Sequence, residues 1–181
     1  MAERMLAILR SLNRWVALVV GLMFLACAGL VLVDIALRHS VASLGGTDEI
    51  SGYVMAIGTA WGMGYAMLEL SHVRIDILRS MTGTKVRALF DIAAMMLMAA
   101  AVSVIAYWSW PVVAATLRNS SRANTPLETP LVLVQVPWFA GWIWFAVMAW
   151  LTLFAALMLL AQGRFDKAER AIGLFLEHEA L

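Results

Sequence analysis

The sequence predicts an all-α integral membrane protein: four transmembrane helices with short amphipathic helices at the membrane surface, and both termini in the cytoplasm. Three observations carry this. The 181 residues are 63% apolar and only 14% charged, against about 45–50% and about 25% in soluble domains. The apolar residues gather in four charge-free stretches, each long enough to cross a hydrocarbon core about 30 Å thick, which takes about 20 helical residues. The basic residues concentrate in alternate loops. The formal charge of +1 offers no general grip on nucleic acid, and the single Cys27 cannot close an intrachain disulfide.

No residue is charged from Trp15 to Val33, from Ile50 to Leu68 or from Ile92 to Leu117, and the last such run extends from Thr129 to Gly163. The expected spans are about 15–37, 50–70, 88–113 and 137–161, within a single domain covering 1–181. The fourth is placed from Pro137 because proline suits a first helical turn and disfavours helix just before itself. The runs are continuous rather than alternating, which excludes β-barrel strands.

Three pieces outside the hydrocarbon read as interfacial helices, at about 2–14, 71–81 and 164–178. In the first, Met5, Ile8, Leu9, Leu12 and Val16 recur at helical spacing, with Arg4, Arg10 and Arg14 opposite. In the second, Leu70, Val73, Ile77, Leu78 and Met81 form the stripe, and Thr82-Gly83-Thr84 supplies a turn and an N-cap for the third span. Phe165, Ala168, Ile172, Phe175 and Leu176 form the third.

Ten of the 13 basic residues fall in the N-terminal arm, the middle loop and the tail, leaving Arg38, Arg118 and Arg122 for the other two loops. Short basic loops stay inside, so both termini are expected in the cytoplasm. Trp108 and Trp110 end the third span while Trp138, Trp142 and Trp144 begin the fourth, an aromatic belt at the outer interface. A cleaved signal is the alternative for the first span, since Phe24-Leu25-Ala26-Cys27 faintly resembles a lipoprotein site. The apolar run continues past it to Val33, longer than a signal core, and cleavage would leave an odd number of spans. The outer loop from Arg118 to Glu128 is polar and turn-prone, and reads as a mobile linker, with a docking surface for an external soluble protein as the alternative.

Chemistry finds little foothold. Transporters that work alone place an ionisable group deep in the membrane, yet the span centres hold none. Asp34 lies near the outer end of the first span with Arg38 one turn on, which favours an interfacial ion pair over a coupling-ion site. His39 falls outside and His72 and His178 inside, so no pair can clamp a haem. Glu69-x-x-His72 with Asp76 matches half of a di-metal motif whose second half is missing, leaving a polar cluster of Glu69, His72, Arg74, Asp76 and Arg79. No phosphate loop, cysteine cluster or nucleophile elbow occurs. The expectation is a chain that is not an enzyme, with no catalytic residue, cofactor or metal. The second span carries a packing device instead: Gly52, Ala56, Ala60 and Gly64 recur every four residues, and Gly58, Gly62 and Ala66 form a parallel row. Small residues so spaced let helix backbones approach closely, and a neighbour in the same chain is favoured.

One stretch has a family likeness. Arg38-His39-Ser40, then Thr47-Asp48-Glu49-Ile50-Ser51-Gly52-Tyr53, then His72-Val73-Arg74-Ile75-Asp76-Ile77-Leu78 resembles the small membrane subunit of tripartite ATP-independent periplasmic (TRAP) transporters, the DctQ-like family. The likeness covers the four-span plan, with its specific part at about residues 34–80. It departs where the family often has a basic residue before the His, here Glu69-Leu70-Ser71, and an aromatic after the Arg, here His39. The resemblance implies an accessory, non-catalytic subunit in the bacterial inner membrane, serving sodium-coupled uptake of organic acids. It further implies a large multi-span permease subunit as partner, a periplasmic substrate-binding protein touching the outer loops transiently, membrane lipid around the chain, and no nucleic acid. Asp34, Arg38, Glu49, Glu69, His72, Arg74 and Asp76 are then candidate subunit-interface or structural polar residues. Gly52, Ala56, Gly58, Ala60, Gly62 and Gly64 are the packing set. A membrane anchor of a respiratory or redox complex and a small autonomous channel or exporter are the rival readings.

Overall fold

A computed structural model describes residues 2–39, 44–71 and 83–172. Within them the chain is helical: α1 is Ala2–Arg38, α2 Thr47–Leu68, α3 Thr84–Asn119, α4 Val132–Ala161 and α5 Phe165–Ile172. The expected middle interfacial helix, with His72, Arg74 and Asp76, lies outside the described residues except for Ser71, which is not helical. The tail beyond Ile172, with His178, lies outside them too.

The arm and the first apolar run are one unbroken helix. Nothing between Ala2 and Arg38 breaks it: there is no proline, and the run is rich in alanine and leucine. The face it buries is Ala2, Leu6, Leu9 and Asn13, a spacing of four, three and four that follows one side of a helix. This corrects the stripe read from the sequence, because Ile8 and Leu12 are exposed. The selecting surface is protein: Leu159 of α4 and Ala168, Ala171 and Ile172 of α5 join Ala2, Leu6 and Leu9 in one core.

Gly45 and Gly46 both take left-handed backbone, at φ 66° and 72°, and turn the chain from α1 into α2. α2 ends on Leu70, also left-handed, with the Ser71 N–H donating to Ala66 O and the Leu70 N–H to Met67 O. That pair of bonds is the Schellman closure, normally built on glycine. α4 closes the same way on Gly163. α4 begins at Val132, five residues before the expected Pro137. The earlier start is nucleated by bonds from Leu133 N–H to Pro130 O and from Gln135 N–H to Leu131 O. Pro137 therefore sits in the second turn and leaves one carbonyl without its intrahelical donor, a local loss the first turn outweighs.

α4 is the centre of the molecule, packed on α2, α3, α1 and α5, while α2 also packs on α1. α1 and α3 do not pack along one another among the described residues. The four long helices thus form an open row in the order α1–α2–α4–α3, with α1 also reaching α4 beside Asn13, rather than a closed ring. α1, α3 and α4 are long and apolar enough to cross a membrane. α2, at 22 residues, has the length, but glycine, threonine and tyrosine dilute its apolarity.

Candidate functional site

Asp34 lies one turn before α1 ends and is 2% exposed. Its Oδ2 accepts from Arg38 Nε at 2.9 Å and from the Thr47 hydroxyl at 2.9 Å. Arg38 Nη2 lies 2.8 Å from the same oxygen, and Oδ1 accepts the Leu44 N–H at 2.8 Å. One carboxylate thereby fastens the last turn of α1, the following loop and the first residue of α2. Charge-assisted bonds to a buried acceptor are the strong kind, and Thr47 is itself buried.

Two residues on, Glu49 faces the other hairpin. Its Oε1 accepts from the Tyr53 hydroxyl at 2.6 Å and from the Thr129 hydroxyl at 2.8 Å. Its Oε2 is sealed from solvent. The Tyr53 hydroxyl, then the Thr125 hydroxyl, hold the carboxyl below its ordinary value of 4.5, against a smaller opposing effect of desolvation. Thr125 and Thr129 belong to the α3–α4 loop, so Glu49 clasps that loop to α2. Leu127 of the same loop seats on Gly46, where an added Cβ would lie 2.5 Å from Leu127 Cγ.

The loop that composition reads as a linker is bonded across itself. The Ala123 N–H donates to Thr129 O at 2.9 Å, the Leu131 N–H to Ser121 O at 3.0 Å and the Arg122 guanidinium to Glu128 O. Backbone pairing across its neck, with Leu127 on Gly46, gives it a fixed shape that composition does not reveal.

Further along the row the small residues of α2 divide. The Phe24 ring of α1 occupies the space a Gly58 Cβ would need. Ala60 meets Gly141 of α4, where an added Cβ would lie 2.8 Å from both Ala60 Cβ and Trp61 Cδ1. A Gly64 Cβ would lie 3.0 Å from Asn13 Oδ1. Gly52 and Gly62 have no such atom within 4 Å, and Ala56 is exposed. Asn13 is fully buried; it donates to Leu9 O at 3.0 Å and accepts the Trp144 indole N–H at 3.1 Å. Trp61 stacks near Trp144 at 5.9 Å and donates its own N–H to Pro137 O at 2.9 Å. Three helices thus meet around one amide.

Of the candidate polar residues, Asp34 and Arg38 are brought together, while Glu49 bonds Tyr53 and the α3–α4 loop instead. Glu69 is exposed at the far end of α2, and His72, Arg74 and Asp76 fall outside the described residues. Sequence reading missed Thr47, Tyr53 and Thr129, and also Asn13, whose amide in an otherwise apolar helix face was a legible signal. It missed Asp91, which is buried and engaged near the N-terminal end of α3. At the same end Glu3 joins Arg164 at 2.8 Å and Lys167 at 2.7 Å. Among the described residues no three His, Cys, Asp or Glu side chains gather as metal ligands would.

Helices of this length and apolarity, fastened to one another by their polar groups, define an integral membrane protein. The family model of Tripartite ATP-independent periplasmic transporters, DctQ component, matches residues 27–163. The chain belongs to that family, and is the small membrane component of such a transporter. Comparisons with curated proteins and with solved structures gave no match. The matched stretch holds the Asp34 knot, the Glu49 clasp and the α2 seam, and leaves out Asn13 and Glu3.

Proposed function

We propose that this chain is the non-catalytic scaffold subunit of a sodium-coupled transporter for organic acids such as dicarboxylates or sugar acids. Four helices span the bacterial inner membrane with both termini in the cytoplasm. A large multi-span permease subunit carries substrate and sodium, and a periplasmic binding protein delivers the substrate, touching the outer loops transiently. The observation that carries this reading is where the polar groups point. Asp34, Asn13 and Glu49 are each bonded to other parts of the chain, and Ser109 and Thr152 donate to carbonyls of their own helices. Carriers built around a bound ion aim such groups at a cavity between helices; among the described residues these five join parts of the chain or close on their own helix.

Reconstitution tests it. Vesicles holding this chain, the large subunit and external binding protein are expected to accumulate substrate down a sodium gradient, and omission of this chain abolishes uptake. Sodium-driven uptake by this chain alone would overturn the proposal. Asp34, Arg38 and Glu49 variants, and those at Glu69, His72, Arg74 and Asp76, are expected to alter assembly or rate without changing which acid is taken up.

A further inference from the structure

The four charge-free runs do not lie level with one another. The α1–α2 and α3–α4 loops share one end of the molecule, where Glu49 accepts from Thr129. Further along, Ala60 of α2 meets Gly141 of α4. That level continues to Trp110 of α3, whose ring lies 5.6 Å from Phe139, and to the part of α1 between Asn13 and Phe24, which meet Gly64 and Gly58. The runs have their midpoints at Phe24 in α1, Thr59 in α2, Ala146 in α4 and Val104 in α3. In α1 and α2 the midpoint is at this level or nearer the loops; in α4 and α3 it lies about one and a half turns further from them. We infer that the row, spanning four times as proposed above, lies aslant in the bilayer, so that lipid covers an oblique belt of its surface. From α1 to α3 the midpoints shift by about 14 Å at 1.5 Å per residue. Spread over three interhelix steps of about 8–10 Å each, that shift inclines the helices by roughly 30°.

Charge decides between an inclined row and an upright one. Held upright, all four helices share one mid-level, and a hydrocarbon core of about 30 Å takes about ten residues on either side of it. Arg14 of α1 and Arg118 of α3, both exposed, then fall inside the hydrocarbon. At the same time Leu32 and Ile35 of α1 and Leu97 of α3, each at least half exposed, fall outside it. Inclining the row about its centre brings Arg14 to the boundary and Arg118 beyond it, and takes the three apolar side chains in. Both changes are favourable, because a charge in hydrocarbon and apolar surface in water are each costly. Tryptophan follows the same tilt. Trp15 and Trp108, 68% and 69% exposed, move toward opposite interfaces, where this residue concentrates. Trp150, which stays near mid-depth, has its N–H bonded to the Ser103 hydroxyl.

Spin labels that read depth test this. In the full chain with Cys27→Ser, single substitutions L18C, L25C and L32C on α1 and L97C, V104C and V112C on α3 fall at exposed positions and each carry one nitroxide. In phosphatidylcholine nanodiscs, relaxation by oxygen relative to a water-soluble nickel chelate ranks their depths. The labels at Leu25 and Val104 are expected to be deepest, with those at Leu97 and Val112 about equally shallow. An upright row gives a different order: Leu18 deepest on α1, and Val112 deeper than Leu97. Either of those results would overturn the inference. A depth that changes steadily along α1 or α3, without a maximum, would mean that the helix does not span; the four-span reading in the functional proposal then fails, and the inclined row with it. Polarised infrared spectra of the unmodified chain in oriented bilayers give an independent reading. The mean helix inclination is expected above about 20°, the average for membrane helices, and a smaller angle would count against the inclined row whatever the labels report. None of these readouts depends on which end of the molecule faces the cytoplasm, so an inverted orientation would leave the result standing.

Discussion

At the scale of single residues, Asp34 and Arg38 look like equal partners in sequence, yet the structure makes them unequal. Asp34 is buried and serves three groups, whereas the Arg38 side chain is 55% exposed and can be solvated when its partner is lost. Asp34→Asn leaves the buried Thr47 hydroxyl and the Leu44 N–H competing for one acceptor. Leaving buried polar groups unsatisfied costs about 1–3 kcal/mol, whereas an exposed ion pair contributes about 0–1 kcal/mol. Thermal unfolding in detergent is expected to show a clear drop in Tm for D34N and a small one for R38Q; the reverse order would break this account of the knot. Glu49 gives a pH-dependent companion. Its carboxyl is held below 4.5 by the Tyr53 and Thr125 hydroxyls, so its contribution is complete above the unfolded value and is lost as pH falls through the folded one. E49Q is expected to lower Tm at neutral pH, and the gap to wild type should close only in strongly acidic buffer.

At the scale of elements, helix ends and helix contacts make opposite demands on glycine. Leu70 occupies the left-handed position that Gly163 fills at the end of α4, and a side chain there costs about 1–2 kcal/mol. Leu70→Gly is therefore expected to raise Tm, even though it removes apolar surface. Gly141→Ala places a methyl 2.8 Å from Ala60 Cβ and should destabilise by about 1–3 kcal/mol. Gly52→Ala, with no neighbouring atom within 4 Å, should be neutral or stabilise by up to about 1 kcal/mol. Parallel melts of the three variants check the order. The same contrast shows what could be read in advance. Spacing alone placed Gly52, Ala60 and Gly64 in one row, because periodicity reports which residues share a face. It does not report which neighbour arrives there, so the division of that row into used and open positions needed the third dimension. Asp34 with Arg38 was legible as a local pair at i, i+4. Glu49 with Thr129 was not, since 80 residues separate them and neither hydroxyl nor carboxylate announces a partner that far away.

At the scale of the whole molecule, the open row matters more than any one contact. A closed bundle buries its centre, but a row leaves two broad faces that only lipid or a partner subunit can cover, which suits a scaffold. α1 and α3, at 37 and 36 residues, each rise about 54–56 Å, well beyond a hydrocarbon core of about 30 Å. Their N-terminal ends are gathered with α4 and α5 by the shared core of Leu6, Leu9, Met95, Leu159 and Ile172, and Glu3 ties α1 to Arg164 and Lys167 at the start of α5. If the row moves as one body, tying α1 to α5 should not matter to transport; if the small subunit must flex, it should. With Cys27→Ser removing the lone thiol, Glu3→Cys and Lys167→Cys place two thiols where an ion pair now joins the helices at 2.7 Å. A short bifunctional maleimide should bridge them. Reconstituted with the large subunit and binding protein, the bridged chain is expected to support the same sodium-driven uptake rate as the unbridged double variant. The comparison with the unbridged form removes the effect of losing the ion pair. A bridge that stops uptake while the complex still co-purifies would mean that the N-terminal end of α1 moves during the cycle, and that the row is a working part rather than a fixed frame.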